Sequence, residues 1–244
     1  MSDEKLMAKE ALNANTGMPE ISDEDKEKAQ STKSSIIGFI FPWIFIGVGT
    51  GIACGIHAWG DKAKYDSRIA IVNEWDLQWG YLSAFLFAYL VIVLNFYPMR
   101  FKGLIMRTSS GNLRSNMFIY VNAAEGSSES RVVMATEGDE GAYNRANRSL
   151  HHFVENSIPM VLAIALNMFV FPFPTFVLTV IFFVGRVVYV MGYSNGGYGK
   201  HAPGFILTMI AVNTLYGLLL ITAIKGMCGP EAAVVDDAVE APAE

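Results

Sequence analysis

Residues 143–193 read YNRANRSLHHFVENSIPMVLAIALNMFVFPFPTFVLTVIFFVGRVVYVMGY. Two long apolar segments meet at a short turn, FPFP, at 171–174. The first carries Arg148, His152 and Glu155. The second carries Arg186, Tyr189 and Tyr193. Helical geometry of about 3.6 residues per turn puts each trio on one face of its helix. An ionised group in an apolar membrane helix costs roughly 2.5–3.5 kcal/mol even on lenient insertion scales. Such groups need partners or a wet cavity. The two faces therefore read as walls of a polar site inside a membrane bundle.

The rest of the chain has the same character. It has 244 residues, 52% of them hydrophobic, and a mean hydropathy of +0.33. The apolar residues come in blocks long enough to span a bilayer. A single all-α integral membrane domain is the simplest count. The net charge of -5 gives no reason to expect a nucleic-acid partner. Two cysteines, Cys54 and Cys228, provide no disulfide framework. Four histidines are too few for a histidine-box oxygenase. His152-x-x-Glu155 inverts the Glu-x-x-His of di-iron bundles and has no second copy, so no metal is expected.

Taken in order, residues 1–35 are polar and read as a disordered tail. Spans are expected at 36–59, 79–99, 143–171, 175–193 and 204–224. In the first span Gly47, Gly51 and Gly55 recur every four residues, a spacing that lets two helices approach closely. Residues 60–78 read as a short amphipathic loop. Pro98 ends or kinks the second span. Residues 100–142 form the longest connection, with a small hairpin from 118–121 and 131–134. SNGGYGKHAPG, 194–204, is a glycine-rich loop, and 226–244 is an acidic, disordered tail. Thirteen Lys and Arg fall on the side of the N-terminus and the long connection, against four on the other. That asymmetry predicts a cytosolic N-terminus and a lumenal C-terminus.

Glu155 is the hardest of the six residues to explain as decoration. It lies two turns deeper than Arg148, and Arg186 on the next span is its expected partner. A buried ion pair that only fixes packing remains an alternative for those two. Together the faces offer cations, a carboxylate and phenol hydroxyls. A small ligand bearing carboxylates and amines suits them, because arginine binds carboxylates through paired donors. A lipid-soluble second substrate can enter sideways from the bilayer.

Arg148-Ser-Leu-His-His152-Phe-Val-Glu155-Asn156-Ser-Ile-Pro159 resembles the Arg-Ala-His-x-Asn-x-x-Glu-Asn-x-x-Pro signature of the MAPEG family. These are membrane-associated proteins in eicosanoid and glutathione metabolism. Gly185-Arg186-Val-Val-Tyr189-Val-Met-Gly192-Tyr193 resembles that family's Gly-Arg-x-x-Tyr-x-x-x-Tyr stretch, nearest the third microsomal glutathione transferase subgroup. The similarity covers about residues 80–225. It implies a four-helix bundle over 79–225, here preceded by an additional transmembrane helix, 36–59. It also implies a homotrimer in the endoplasmic reticulum membrane, with glutathione bound between subunits and open to the cytosol. By motif, Arg148, His152, Glu155, Arg186, Tyr189 and Tyr193 match glutathione-contacting positions. The implied activity is glutathione conjugation to lipophilic electrophiles, or reduction of lipid hydroperoxides.

Two departures bear on chemistry. His152 stands where the family has asparagine. Lys200 falls where family enzymes place the arginine that stabilises the thiolate. A nearby cation lowers a thiol pKa, and lysine can act as a point charge without the arginine fork. Lys200, with Arg100 as helper at the end of the second span, is therefore the expected catalytic pair. The lost arginine also keeps open a non-catalytic lipid-binding or scaffold protein of the same fold.

Overall fold

The computed structural model describes residues 21–105, 117–122 and 132–228. Seven helices lie within them: α1 (Asp23–Gln30), α2 (Thr32–Trp59), α3 (Lys62–Glu74), α4 (Gln78–Ile105), α5 (Gly138–Asn167), α6 (Pro172–Gly196) and α7 (Ala202–Cys228). Two short strands, β1 (Tyr120–Asn122) and β2 (Val132–Met134), pair antiparallel, with Val121 opposite Val133. The expected hairpin is therefore present, one or two residues out of register with its sequence-based bounds. The parts of the expected tails at 1–20 and 229–244 lie outside the described residues.

Helices α4 to α7 form the bundle. Its core is Leu90, Leu94, Phe153, Met160, Phe182, Val190 and Leu215, all nearly or fully inaccessible. α6 and α7 meet backbone to backbone. A Cβ on Gly185 would lie 2.9 Å from the Thr208 amide nitrogen, and one on Gly204 would collide with the Tyr189 amide. Asn167 pins α5 to α7 by donating to the Leu215 carbonyl at 3.0 Å. Residues 40–59 of α2, with α4, α6 and α7, are long and apolar enough to cross a membrane. The polar first half of α5 keeps that helix out of this group, although its last turns, residues 160–166, are apolar. The architecture is an all-α membrane bundle.

Several boundaries differ from the sequence reading, each for a local reason. α4 runs through Pro98 for seven more residues. Proline removes one helical hydrogen bond. Phe101, Leu104 and Ile105 offset that loss by burying against Ile119, Tyr143 and Ala146. The segment 60–78, expected to be a loop, is mostly α3. Asp61 caps it by accepting from the Lys64 amide at 3.3 Å. No α3 residue is buried, so the segment shows no apolar stripe to betray a helix. The N-terminal segment, expected to be disordered to residue 35, carries α1. Ser22 accepts there from the Asp25 amide at 3.2 Å, and Lys26 pairs with Asp139 at 3.3 Å.

α2 stands apart. None of its residues from 40 to 59 is buried, and its tie to the bundle includes Trp43 against Tyr89 at 4.9 Å. A Cβ on Gly47 or Gly51 would meet nothing within 4 Å. The close helix approach expected of this glycine stripe does not occur among the described residues.

Candidate functional site

The polar site grows from the first half of α5. Asn144 accepts from the Ile119 amide and donates to the Ile119 and Ala135 carbonyls, each at 2.8 Å. Asn147 donates to the Met117 carbonyl at 2.7 Å. These bonds fasten the hairpin to the helix, because buried backbone groups at a strand end need partners. Between these two asparagines in sequence, Arg145 bridges the Thr136 carbonyl at 2.7 Å and the Ser194 carbonyl at 3.3 Å. A cavity of about 480 Å³ opens between the hairpin exit, the start of α5 and the end of α6. Arg145, Arg148, Tyr193, Asn195 and Tyr198 line it.

Below the cavity, Arg186 projects from α6 into the bundle, 1% exposed. Its guanidinium donates to the Ser149 carbonyl at 3.1 Å and meets His152 Nδ1 at 3.1 Å. Arginine is only a donor, so Nδ1 accepts and His152 is the neutral, Nε2-protonated tautomer. The same guanidinium lies 4.8 Å from the Tyr189 ring centroid and 5.5 Å from that of Phe153. At such distances a desolvated cation gains about 2 kcal/mol from an aromatic face. His152 stacks on Tyr189 at 5.6 Å, and Tyr189 neighbours Tyr193 at 6.1 Å.

Glu155 does not pair with Arg186. It meets Arg148 at 3.5 Å, and the two side chains are 55% and 54% exposed. The expected pairing across helices is corrected to a pairing along α5, because seven residues make two helical turns and put Arg148 and Glu155 on one face of it. Arg186 instead places its two terminal nitrogens on neutral acceptors and its guanidinium over rings, which the sequence does not advertise, while its Nε has no partner among the described residues.

The structure thus brings His152, Arg186, Tyr189 and Tyr193 together, and places Arg148 and Glu155 on the adjoining open face. Lys200 and Arg100 stand apart from the cavity lining. Lys200 is exposed, with its stem against Gly196. Arg100 lies one turn beyond Tyr97, whose hydroxyl accepts from Asn195 at 3.3 Å. His151 faces Phe118 at 5.3 Å, on the hairpin side. Sequence reading missed Arg145 and His201. Arg145 has no charge partner at helical spacing in its own segment, which is the signal that its partners lie elsewhere. His201 sits 5.1 Å from Tyr189 and 5.4 Å from Tyr193.

The MAPEG family model matches residues 78–223, the four bundle helices with the hairpin connection. The chain belongs to the MAPEG family. No curated protein and no solved structure matches it. Family membership ties the bundle to membrane-bound, glutathione-related function in general terms. α1, α2 and α3 lie outside the matched region.

Proposed function

We propose that this MAPEG protein is a membrane-bound glutathione S-transferase or glutathione-dependent peroxidase. Its substrates would be lipophilic electrophiles or lipid hydroperoxides reaching the site from the bilayer. The observation that carries the reading is the outer face of α5. Arg148, Glu155 and Asn156 are exposed there, directly above exposed Ile158, Leu162 and Leu166. Lipid does not solvate an open ion pair. That face is best covered by a polar ligand and by a second copy of the chain.

In this reading Arg148 takes a glutathione carboxylate through paired donors, and Glu155 takes the ammonium group. Tyr193, Tyr189 and His152, held by Arg186, form the adjoining wall. Lys200 supplies the cation near the sulfur, and Arg100 assists from the end of α4. The active unit is a homotrimer in the endoplasmic reticulum membrane. Its N-terminus and hairpin face the cytosol and its C-terminus the lumen, with α2 on the trimer's outside. The Gly185–Tyr193 stretch favours the third microsomal transferase subgroup.

Turnover tests the activity directly. Purified protein is supplied with glutathione and, in separate assays, a chloronitroaromatic electrophile and a fatty-acid hydroperoxide. The reading predicts glutathione-dependent consumption of at least one. Glutathione binding with no turnover on any would instead mark a non-catalytic member of the fold.

A further inference from the structure

Lys200 ends a loop built on glycines. Gly197 and Gly199 have φ of +76° and +90°, the left-handed region that side chains avoid. A Cβ on Gly196 would lie 2.8 Å from Lys200 Cβ. The loop is therefore pressed onto the end of α6, and it sends Lys200 outward. The next residue turns the other way. His201 is partly buried, T-shaped to Tyr189 at 5.1 Å and to Tyr193 at 5.4 Å, with Tyr198 at 5.3 Å and Phe205 at 6.4 Å. Its Nδ1 is buried and has no hydrogen-bond partner among the described residues.

That orphan nitrogen fixes the proton. An N–H at Nδ1 would be a buried donor with nothing to receive it, whereas an unprotonated Nδ1 forfeits less. The neutral ring therefore carries its proton on Nε2. Nε2–H is then a free donor, set among the tyrosines assigned to glutathione above.

We propose that His201 donates Nε2–H to the sulfur of bound glutathione and holds it as the thiolate. The inference rests on the glutathione reading. In this step the S–H bond breaks, the thiol proton passes to solvent, and sulfur keeps the electron pair. His201 keeps its own proton throughout. The thiolate then forms the carbon–sulfur bond, and the electrophile's leaving group departs with the displaced pair. A hydrogen bond to the charged form favours that form. His201 thus supplies a hydrogen bond to the sulfur beside the charge assigned to Lys200. The titratable groups around it are Tyr189 and Tyr193 of α6, Tyr198 and Lys200 of the loop, and His152 of α5, which also stacks on Tyr189.

The test follows the ultraviolet absorbance of bound glutathione thiolate against pH, with affinity read separately by calorimetry. Wild type is compared with His201→Phe, which keeps an aromatic ring, and His201→Gln, whose amide nitrogen sits near the Nε2 position. The expected result is a thiolate titration displaced upward by about one pH unit in His201→Phe, a tenfold loss of thiolate at fixed pH. His201→Gln restores most of it, and affinity changes far less than thiolate in both. If His201→Phe does not fold, His201→Asn, with its amide at the Nδ1 position, is expected to show the same displacement. A wild-type curve in the donor-less variant with glutathione bound overturns the proposal, as does a His201→Gln variant no better than His201→Phe. Absence of binding to wild type overturns the glutathione reading itself, and this inference with it.

Discussion

Arg186 and Arg148 lie on facing helices of one bundle and live in opposite surroundings. Arg186 is 1% exposed and holds the Ser149 carbonyl, His152 Nδ1 and two aromatic faces. Arg148 is 54% exposed and, among the described residues, bonds only Glu155, at 3.5 Å. The first arrangement is built inside one subunit, with the Arg186 Nε buried and unpaired among the described residues. The second is unfinished, since an open pair of this kind contributes at most about 1 kcal/mol to stability. Arg186 orders the wall, whereas Arg148 and Glu155 are the pair to which the proposed glutathione reading gives the binding role.

The largest effect is expected at the buried arginine. Arg186→Met leaves His152 Nδ1 unpaired, at about 1–3 kcal/mol, and removes both a second bond to the Ser149 carbonyl, which keeps its helical partner, and the cation from two aromatic faces. Thermal unfolding in detergent should show a loss of about 2–5 kcal/mol in total. Wild-type stability in this variant would erase the distinction between the two arginines.

Asn144→Ala comes next, on the same helix as Arg148. It removes three bonds to the hairpin and should cost about 1–3 kcal/mol. Hydrogen exchange should accelerate at the Ile119 and Ala135 amides, while the α6–α7 contact stays protected. Equal acceleration in both places would mean that the hairpin does not open separately from the bundle.

Arg148→Ala sharpens the comparison from the other side. Its unfolding should change by less than about 1 kcal/mol. Glutathione affinity by calorimetry should fall about tenfold, or about 1.4 kcal/mol. A large stability loss with unchanged affinity would reverse the roles given to the two arginines. Lys200→Met has the smallest expected effect. Turnover should drop several-fold with affinity nearly unchanged, and unchanged turnover would remove Lys200 from the chemistry.

The sequence made the bundle legible because apolar blocks, the FPFP turn and glycines at close helix contacts are local signals. It also singled out Arg186, Tyr189, Tyr193 and His152, because polar residues at helical spacing in an apolar segment stand out. It misjudged Glu155, whose partner was sought across helices. Rotation of α5 about its own axis decides that question, and no residue pattern reports it. α3 escaped notice because a helix with no buried face has no apolar period. The glycines of α2 show the limit of a motif. Gly185 and Gly204 face a neighbouring backbone, while Gly47 and Gly51, in a stronger pattern, face none in the subunit. His201 was hidden by its place in a loop, where glycine conformations, not periodicity, set its direction.

The account stands on the open face of α5 being a glutathione site, and calorimetric titration of glutathione into the detergent-purified protein tests this most directly. Wild type should show saturable binding, and Glu155→Gln should lose about tenfold in affinity while unfolding as wild type does. No binding to wild type, or equal affinity in Glu155→Gln, would contradict it.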